Sequence, residues 1–230
     1  MNALRVAVRS LGELLMTLGA IILLYVAYQL FWTNVTADQS TNQAAAQLRQ
    51  EWSRPLPPPT VRPGAPTPTA TAAVPSGDAM ALMYIPRLGK DWVKPVVQGV
   101  ALSDLARGIG HYPTSALPGQ IGNFAVAGHR ATHGQPLAYI DKIRDGDVVV
   151  IETRTEWFTY VVDRHIIVAP TAVWVIGPVP GKPAATPSQS LITITSCNPR
   201  WASYQRWIIF GHLMSTTPRV GNTLPPALAG

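Results

Sequence analysis

The sequence has one cysteine among 230 residues, and charged side chains make up only 13% of it, against about 25% in a typical domain. A lone cysteine excludes an internal disulfide, so in an exported chain its thiol either pairs with another molecule or stays free to react. The basic residues are scattered rather than clustered in runs, which argues against a nucleic-acid partner. The sequence also lacks a carboxylate cluster typical of a calcium site. We therefore expect no required metal ion and no cofactor.

Long uncharged runs are confined to the N-terminus, where the 19 residues of Leu14–Trp32 carry no charge. A helix of this length nearly spans the ~30 Å hydrocarbon core of a bilayer. Arg5 and Arg9 precede it, and Asp38 is the first charge after it. The positive-inside rule therefore predicts a cytoplasmic segment at 1–13, a single-pass anchor in the cell membrane at 14–32, and an extracytoplasmic remainder. A cleaved signal peptide is the alternative, but this run exceeds the ~7–15 apolar residues of a signal core.

The next segment, 33–78, is predicted to be an extracytoplasmic linker rich in Pro, Thr and Ala. Eight of the chain's 22 prolines lie between residues 55 and 75. Proline-rich chain favours the extended polyproline II conformation and buries too little apolar surface to fold. We expect it to act as a spacer that holds the folded body away from the membrane.

From about Met80 the sequence changes to short β-branched and aromatic runs separated by Gly, Pro and Asp. This pattern predicts an all-β domain at 79–219, followed by a C-terminal tail at 220–230. The candidate strands are Ala81–Ile85, Val93–Gln98, Asn123–Ala127, Val148–Thr153, Trp157–Val168, Leu191–Ser196 and Trp207–His212. Short helices are expected after Ser103 and over Pro136–Ile143. Seven or eight strands in about 140 residues favour a closed or nearly closed barrel.

Cys197 lies at the end of one predicted strand, where alternation places it on the more polar face of the sheet. Asn198 and Pro199 end that strand, and a short connection leads to a second strand that begins near Arg206. Antiparallel pairing of the two strands returns Arg206 to the end of the sheet that holds Cys197. A cation there favours the thiolate and stabilises a developing oxyanion. Arg200 is a second candidate for this role.

A cysteine nucleophile also needs a proton donor and acceptor, which histidine usually provides. His129 follows the apolar strand NFAVA and Gly128, so we expect it where a strand gives way to a loop. The segment GNFAVAGHRATHGQPLAYIDKIRDGD, followed by TITSC and by Arg206 nine residues after Cys197, resembles the sortase family. The Cys-Asn-Pro and His-Tyr-Pro settings resemble its actinobacterial class E branch most.

The resemblance covers the whole predicted body and implies a closed eight-stranded sortase-type β-barrel with short helices. It also implies that His129, Cys197 and Arg206 are catalytic. In such enzymes the cysteine attacks the Thr-Gly bond of a C-terminal sorting signal on a secreted protein, either Leu-Ala-x-Thr-Gly or Leu-Pro-x-Thr-Gly. An amine of a lipid-linked peptidoglycan precursor or of a pilin lysine then resolves the thioester.

Four further residues are expected to contact the substrate: Tyr112, His133, Thr195 and Ser196. Tyr112 lies where a residue of the site wall would distinguish Ala from Pro in the signal. Ser196 stands where the family signature has Thr, and it keeps a hydroxyl that would assist the oxyanion.

The same residues allow other interpretations. A lone cysteine is often a small buried apolar residue, and His129 with His133 would form a zinc pair if the segment were helical. Glycine and proline around these histidines make a helix unfavourable. The protein could also be another envelope cysteine peptidase or transpeptidase, or a non-enzymatic anchored domain that binds wall polymer.

Overall fold

A computed structural model of the chain describes residues 2–54, 75–221 and 223–229, with side chains throughout except at 2, 29–38 and 40. Most of the predicted proline-rich spacer, 55–74, lies outside the described residues. The chain begins with a long helix, α1 (Asn2–Ser53), and includes one short α-helix, α2 (Leu102–Leu105). Short 3-10 helices occupy Pro86–Leu88, Ile140–Lys142, Val173–Ile176 and Pro226–Leu228.

Helix α1 contains an apolar stretch, Ala3–Tyr28, that is long and apolar enough to cross a membrane. Its side chains are almost all exposed, so this stretch does not form part of the barrel core. The helix does not end at Trp32, where the predicted anchor ends, but continues to Ser53. The first part of the predicted linker is therefore helical.

Eight strands form the rest of the fold in the part of the chain that the structure describes. They are β1 (Ala79–Tyr84), β2 (Val93–Gln98), β3 (Ile109–His111), β4 (Gly122–Gly128), β5 (Val148–Glu152), β6 (Glu156–Val168), β7 (Ser190–Asn198) and β8 (Gln205–Pro218). They close into a barrel in the order β1-β2-β3-β4-β7-β8-β6-β5. The pairs β2–β3 and β4–β7 are parallel, whereas the other neighbours are antiparallel. The expected closed eight-stranded barrel is confirmed.

The barrel interior is filled by the inward side chains of alternating strand positions. Ile192 and Ile194 of β7 are fully buried in this core, together with Phe124 and Val126 of β4. Their alternation with the threonines of β7 is the period-2 pattern of a strand with one face in a core. The predicted facing of β7 is therefore confirmed, and it directs Cys197 away from the barrel interior.

The sequence does not predict strand β3, and it predicts one helix that is longer than the one in the structure. Strand β3 has three residues beside Gly108 and includes Gly110, too short and too glycine-rich to show a strand pattern. The helix expected over Pro136–Ile143 is only the 3-10 helix Ile140–Lys142. Its apolar residues are buried in the core all the same, because a 3-10 turn brings positions three apart onto one face.

The C-terminal part of α1 packs on the outside of the barrel. Ala45 and Leu48 are 4% and 6% exposed and contact Leu82 of β1. Trp52, one turn further, packs against the same cluster. Positions 45, 48 and 52 share one face of a helix, so this apolar stripe attaches α1 to the sheet.

A polar network strengthens the same contact. Arg49 Nη2 donates to the Tyr84 hydroxyl at 2.8 Å, and that hydroxyl donates to Glu152 Oε2 at 2.5 Å. Arg219 Nε donates to Glu152 Oε1 at 2.7 Å. Burial is the main cause that raises the pKa of Tyr84, and the hydrogen bond with Glu152 raises it further. The Tyr84 hydroxyl therefore stays protonated and can donate. Just after the helix, the Arg54 carbonyl accepts a hydrogen bond from Arg154 Nη2, in the connection between β5 and β6, at 2.8 Å.

Candidate active site

Three adjacent strands bring the predicted catalytic residues to one end of the barrel. Strand β4 runs parallel to β7 with Gly128 opposite Ser196, so His129 follows β4 at the level of Cys197. Strand β8 runs antiparallel to β7, and its register pairs Cys197 directly with Arg206. Directly opposed residues project to the same face of a sheet. The expected return of Arg206 to the Cys197 end of the sheet is confirmed.

Cys197 is the penultimate residue of β7 and carries a free, partly exposed thiol. Its position at the end of the strand follows from Asn198 and Pro199, because proline has no N–H with which to continue a ladder. The side chain of Asn198 is held in turn by Gln205 of β8 at 2.8 Å. The thiol is thus reachable from solvent while the backbone that carries it is fixed on both sides.

His129 is fixed by the close packing of the residue before it. A Cβ at Gly128 would lie 2.8 Å from side-chain carbons of Ile109 and Leu137, so only glycine allows the strand to pass so near them. The Leu137 N–H donates to the His129 carbonyl at 3.0 Å. The Ser196 hydroxyl donates to the Gly128 carbonyl at 2.7 Å, which links the histidine loop to the cysteine strand.

The imidazole of His129 is half-buried. Its Nε2 is buried and has no hydrogen-bond partner among the described residues. The ring stacks on His133, with centroids 4.7 Å apart and planes inclined by 23°. Burial is the main cause that lowers the pKa of His129, and the charge of His133 lowers it further. His129 is therefore mostly neutral near pH 7 and has a free nitrogen for proton transfer.

Arg206 is the second residue of β8 and is partly exposed. Its Nη1 donates to the carbonyls of Ser203 and Gln205, at 2.7 and 2.9 Å. These bonds hold the guanidinium in the turn between β7 and β8. The register of the two strands places Arg206 directly opposite Cys197. Arg200, the second candidate, instead bonds Gln135 at 2.5 Å and stacks on Tyr139 at 5.0 Å.

The four predicted substrate contacts have different surroundings. Tyr112 approaches Thr195, with the two hydroxyl oxygens 3.4 Å apart, and Thr195 donates to the Val126 carbonyl at 3.2 Å. Ser196 is 3% exposed, and its hydroxyl bonds Gly128, whereas the sequence predicts an oxyanion contact. His133 is exposed, in the left-handed region at φ 52°.

Arg130 is a residue of this site that the sequence does not single out. It is 6% exposed, and its Nη1 donates to Asn198 Oδ1 at 2.7 Å and to the Cys197 carbonyl at 3.3 Å. Its Nη2 lies 2.9 Å from Asp141 Oδ1, and its guanidinium lies over the Trp207 ring, 5.5 Å from the centroid. Arg130 therefore joins the loop after β4 to the end of β7.

The two histidines do not belong to a metal site in the described part of the chain. Within it, no group of three or more His, Cys, Asp or Glu side chains is arranged to hold an ion. His133 Nδ1 instead lies 3.1 Å from the Thr132 hydroxyl. The arrangement offers a thiol, an imidazole and a guanidinium, which are the groups required for acyl transfer through a thioester.

Known proteins with a related sequence or fold contain the same domain. Residues 83–214 match the model of the sortase domain. Sortase SrtE1 of Streptomyces coelicolor is 37% identical over 222 residues, which is 93% of this chain, and the chain spans 59% of that protein's length. Sortase SrtE2 of the same organism is 30% identical over 229 residues, covering 96% of this chain and 87% of that protein.

Solved structures agree with these relatives. Sortase E from Streptomyces avermitilis superposes with a TM-score of 0.61 at 46% identity, over 67% of this chain and 99% of that one. Sortase E1 from Streptomyces coelicolor, solved with a tripeptide in the active site, gives 0.61 at 34% identity over 69% of this chain and all of that one. The chain therefore belongs to the sortase family of cysteine transpeptidases, with class E sortases among its relatives.

Proposed function

We propose that the chain is a membrane-anchored transpeptidase with Cys197 as nucleophile, His129 as general acid and base, and Arg206 as the cation that favours thiolate and oxyanion. It would cleave a C-terminal Leu-Ala-x-Thr-Gly or Leu-Pro-x-Thr-Gly signal between Thr and Gly. The observation that carries this proposal is the register that pairs the free thiol of Cys197 with Arg206 at the level of His129.

The proposed reaction has two acyl transfers. The Cys197 thiolate attacks the threonine carbonyl carbon, and the C–N bond to glycine breaks as the His129 imidazolium donates its proton to the leaving amine. The neutral imidazole then takes a proton from the incoming amine as that amine attacks the thioester, and the C–S bond breaks to restore the thiolate. The lowered pKa of His129 makes the thiolate–imidazolium pair a minor protonation state at neutral pH.

Substrates and location follow the same proposal. The apolar part of α1 would cross the membrane with residues 1–13 in the cytoplasm, because Arg5 and Arg9 precede the uncharged run. The barrel would then meet secreted proteins that carry sorting signals. The acceptor would be an amine of a lipid-linked peptidoglycan precursor or of a pilin lysine. Tyr112, beside Thr195 on the Cys197 face of β7, would distinguish Ala from Pro in the signal.

The test uses the full chain in detergent, with peptides that contain each signal. Intact-mass analysis should detect an acyl adduct on the wild type and none on Cys197→Ala. Arg206→Ala should lower kcat/KM by about 10²–10³-fold, as loss of an oxyanion donor does. Absence of an adduct on the wild type, or an adduct on Cys197→Ala, would refute the assignment. An unchanged Ala/Pro preference in Tyr112→Phe would refute the role of Tyr112 alone.

A further inference from the structure

A cleft of about 420 Å³ adjoins the Cys197 end of the barrel. The loop after His129 lines one side of it with Gly134, Gln135 and Pro136, and the loop after Cys197 contributes Arg200. The hydrogen bond from Arg200 to Gln135 joins these two loops. The cleft is therefore built from the chain segments that directly follow the proposed catalytic residues.

The walls of this cleft are cationic and aromatic. Lys94 and Arg200 supply positive charge, Trp92 and Tyr139 supply rings, and none of the lining residues among those described is acidic. Such a surface fits a ligand that combines an anionic group with apolar parts.

Arg200 is held in position for such a ligand. Its guanidinium lies over two rings, 5.0 Å from the Tyr139 centroid and 5.1 Å from that of Trp201. Its Nε is buried and has no hydrogen-bond partner among the described residues. A carboxylate oxygen is the strongest acceptor for a guanidinium, and in the cleft it would meet the N–H groups of Arg200 that line it.

We propose that this cleft binds a carboxylate of the amine acceptor and so selects acceptors that carry a free carboxylate near the reacting amine. The inference rests on the proposed function, because it identifies the chemistry of the second substrate. With the carboxylate between Lys94 and Arg200, the amine would lie near the loops that follow His129 and Cys197, which line the same cleft. The two cations also disfavour a protonated amine nearby, which leaves its lone pair free to attack the thioester carbon.

This chemistry distinguishes the two acceptor classes. A short peptide whose free carboxylate lies close to its amine fits the cleft, whereas a lysine within a folded protein chain has amides on both sides. The charge of the cleft therefore favours an acceptor peptide with a free carboxylate over a lysine within a folded pilin. The volume of the cleft lies at the lower end of the ~300–1,000 Å³ range of small-ligand sites and suits a short peptide.

The first test measures binding without catalysis. Acetyl-Ala-Lys-Ala, as the free acid and as the C-terminal amide, is titrated into full-length Cys197→Ala in detergent and followed by NMR. The acid should bind about tenfold more tightly, the effect of one good charge-assisted hydrogen bond. Arg200→Gln and Lys94→Gln, each added to Cys197→Ala, should reduce that ratio to about threefold or less. Lys182→Gln, a matched loss of an exposed lysine elsewhere, should keep it.

Equal binding of the acid and the amide to Cys197→Ala would overturn the proposal. So would a tenfold ratio that survives both cleft substitutions. Thermal unfolding of each variant verifies that it is folded, and Arg200→Lys, which keeps the charge, should retain part of the ratio. Because binding is measured on a protein that lacks the thiol, its outcome is independent of whether Cys197 forms a thioester. Turnover by the wild type with both acceptors should then show the same preference in acceptor KM.

Discussion

Replacement of Arg130 by methionine tests whether the buried guanidinium positions Cys197. Methionine keeps much of the apolar volume against Trp207 but removes every polar contact of the guanidinium. The bond to Asn198 Oδ1 at 2.7 Å is charge-assisted and accounts for about 1.5–2 kcal/mol. The bond to the Cys197 carbonyl is longer, at 3.3 Å, and the ion pair with half-exposed Asp141 is discounted to about 0–1 kcal/mol. Together we expect a loss of about 3 kcal/mol in the free energy of unfolding.

The assay combines stability with kinetics. Urea unfolding of the full chain in detergent gives the free energy, and turnover of a sorting-signal peptide gives kcat and KM. Loss of the anchor at Asn198 lets the end of β7 move relative to His129, so kcat should fall at least tenfold, with KM for the peptide little changed. The matched control is Arg164→Met, which removes an exposed arginine from over the Phe210 ring. Its stability should change by at most about 0.5 kcal/mol.

Two results would refute this reasoning. A folded Arg130→Met protein with unchanged kcat would show that the guanidinium does not position the nucleophile. A stability change as small as that of the control would mean that these hydrogen bonds contribute nothing to folding.

Two further predictions concern ionisable groups. His133→Asn should raise the pKa of His129, measured by NMR titration of its ring protons, because it removes a neighbouring positive charge; an unmoved midpoint would rule out this coupling. Folding favours neutral His129, so the contribution of this residue to stability is full at pH values above the ordinary histidine pKa. That contribution is lost as the pH falls through the lowered pKa of folded His129. His133→Asn should lessen this loss of stability at low pH. Arg219→Ala should destabilise the fold by about 2–3 kcal/mol, because it leaves Glu152 buried without its cation. In a Glu152→Gln background the same substitution should cost clearly less. Equal losses of stability in the two backgrounds would contradict the ion pair as the cause.

The residues of the site differ in how far the sequence alone could place them. The pairing of Cys197 with Arg206 was predictable, because a short connection between two strands with a proline break determines an antiparallel return. The approach of His129 was not, because a parallel pair such as β4–β7 is separated by a long crossover whose path no local pattern specifies. Only the family resemblance supplied that placement.

Other parts were missed for local reasons. Arg130 looks like an ordinary loop cation, because its partner Asn198 is 68 positions away. Ser196 alternates as expected, but alternation does not reveal that the Gly128 carbonyl lies within reach of its hydroxyl. The continuation of α1 is visible in the sequence, because Ala45, Leu48 and Trp52 are spaced as one face of a helix. They lie among good helix formers, which the prediction of a linker did not take into account.

The attachment of α1 to the barrel determines how far the site lies from the bilayer. If the proposed span ends at Tyr28, the twenty residues to Leu48 rise roughly 30 Å as a helix. A helix fixed at both ends sets one working height, so substrates must come to the enzyme at that level. Residues 54 and 77, on either side of the proline-rich stretch, both contact the barrel. Lengthening that stretch would therefore cost little closure entropy. It would leave the distance between the site and the bilayer unchanged, because helix α1 alone sets that distance.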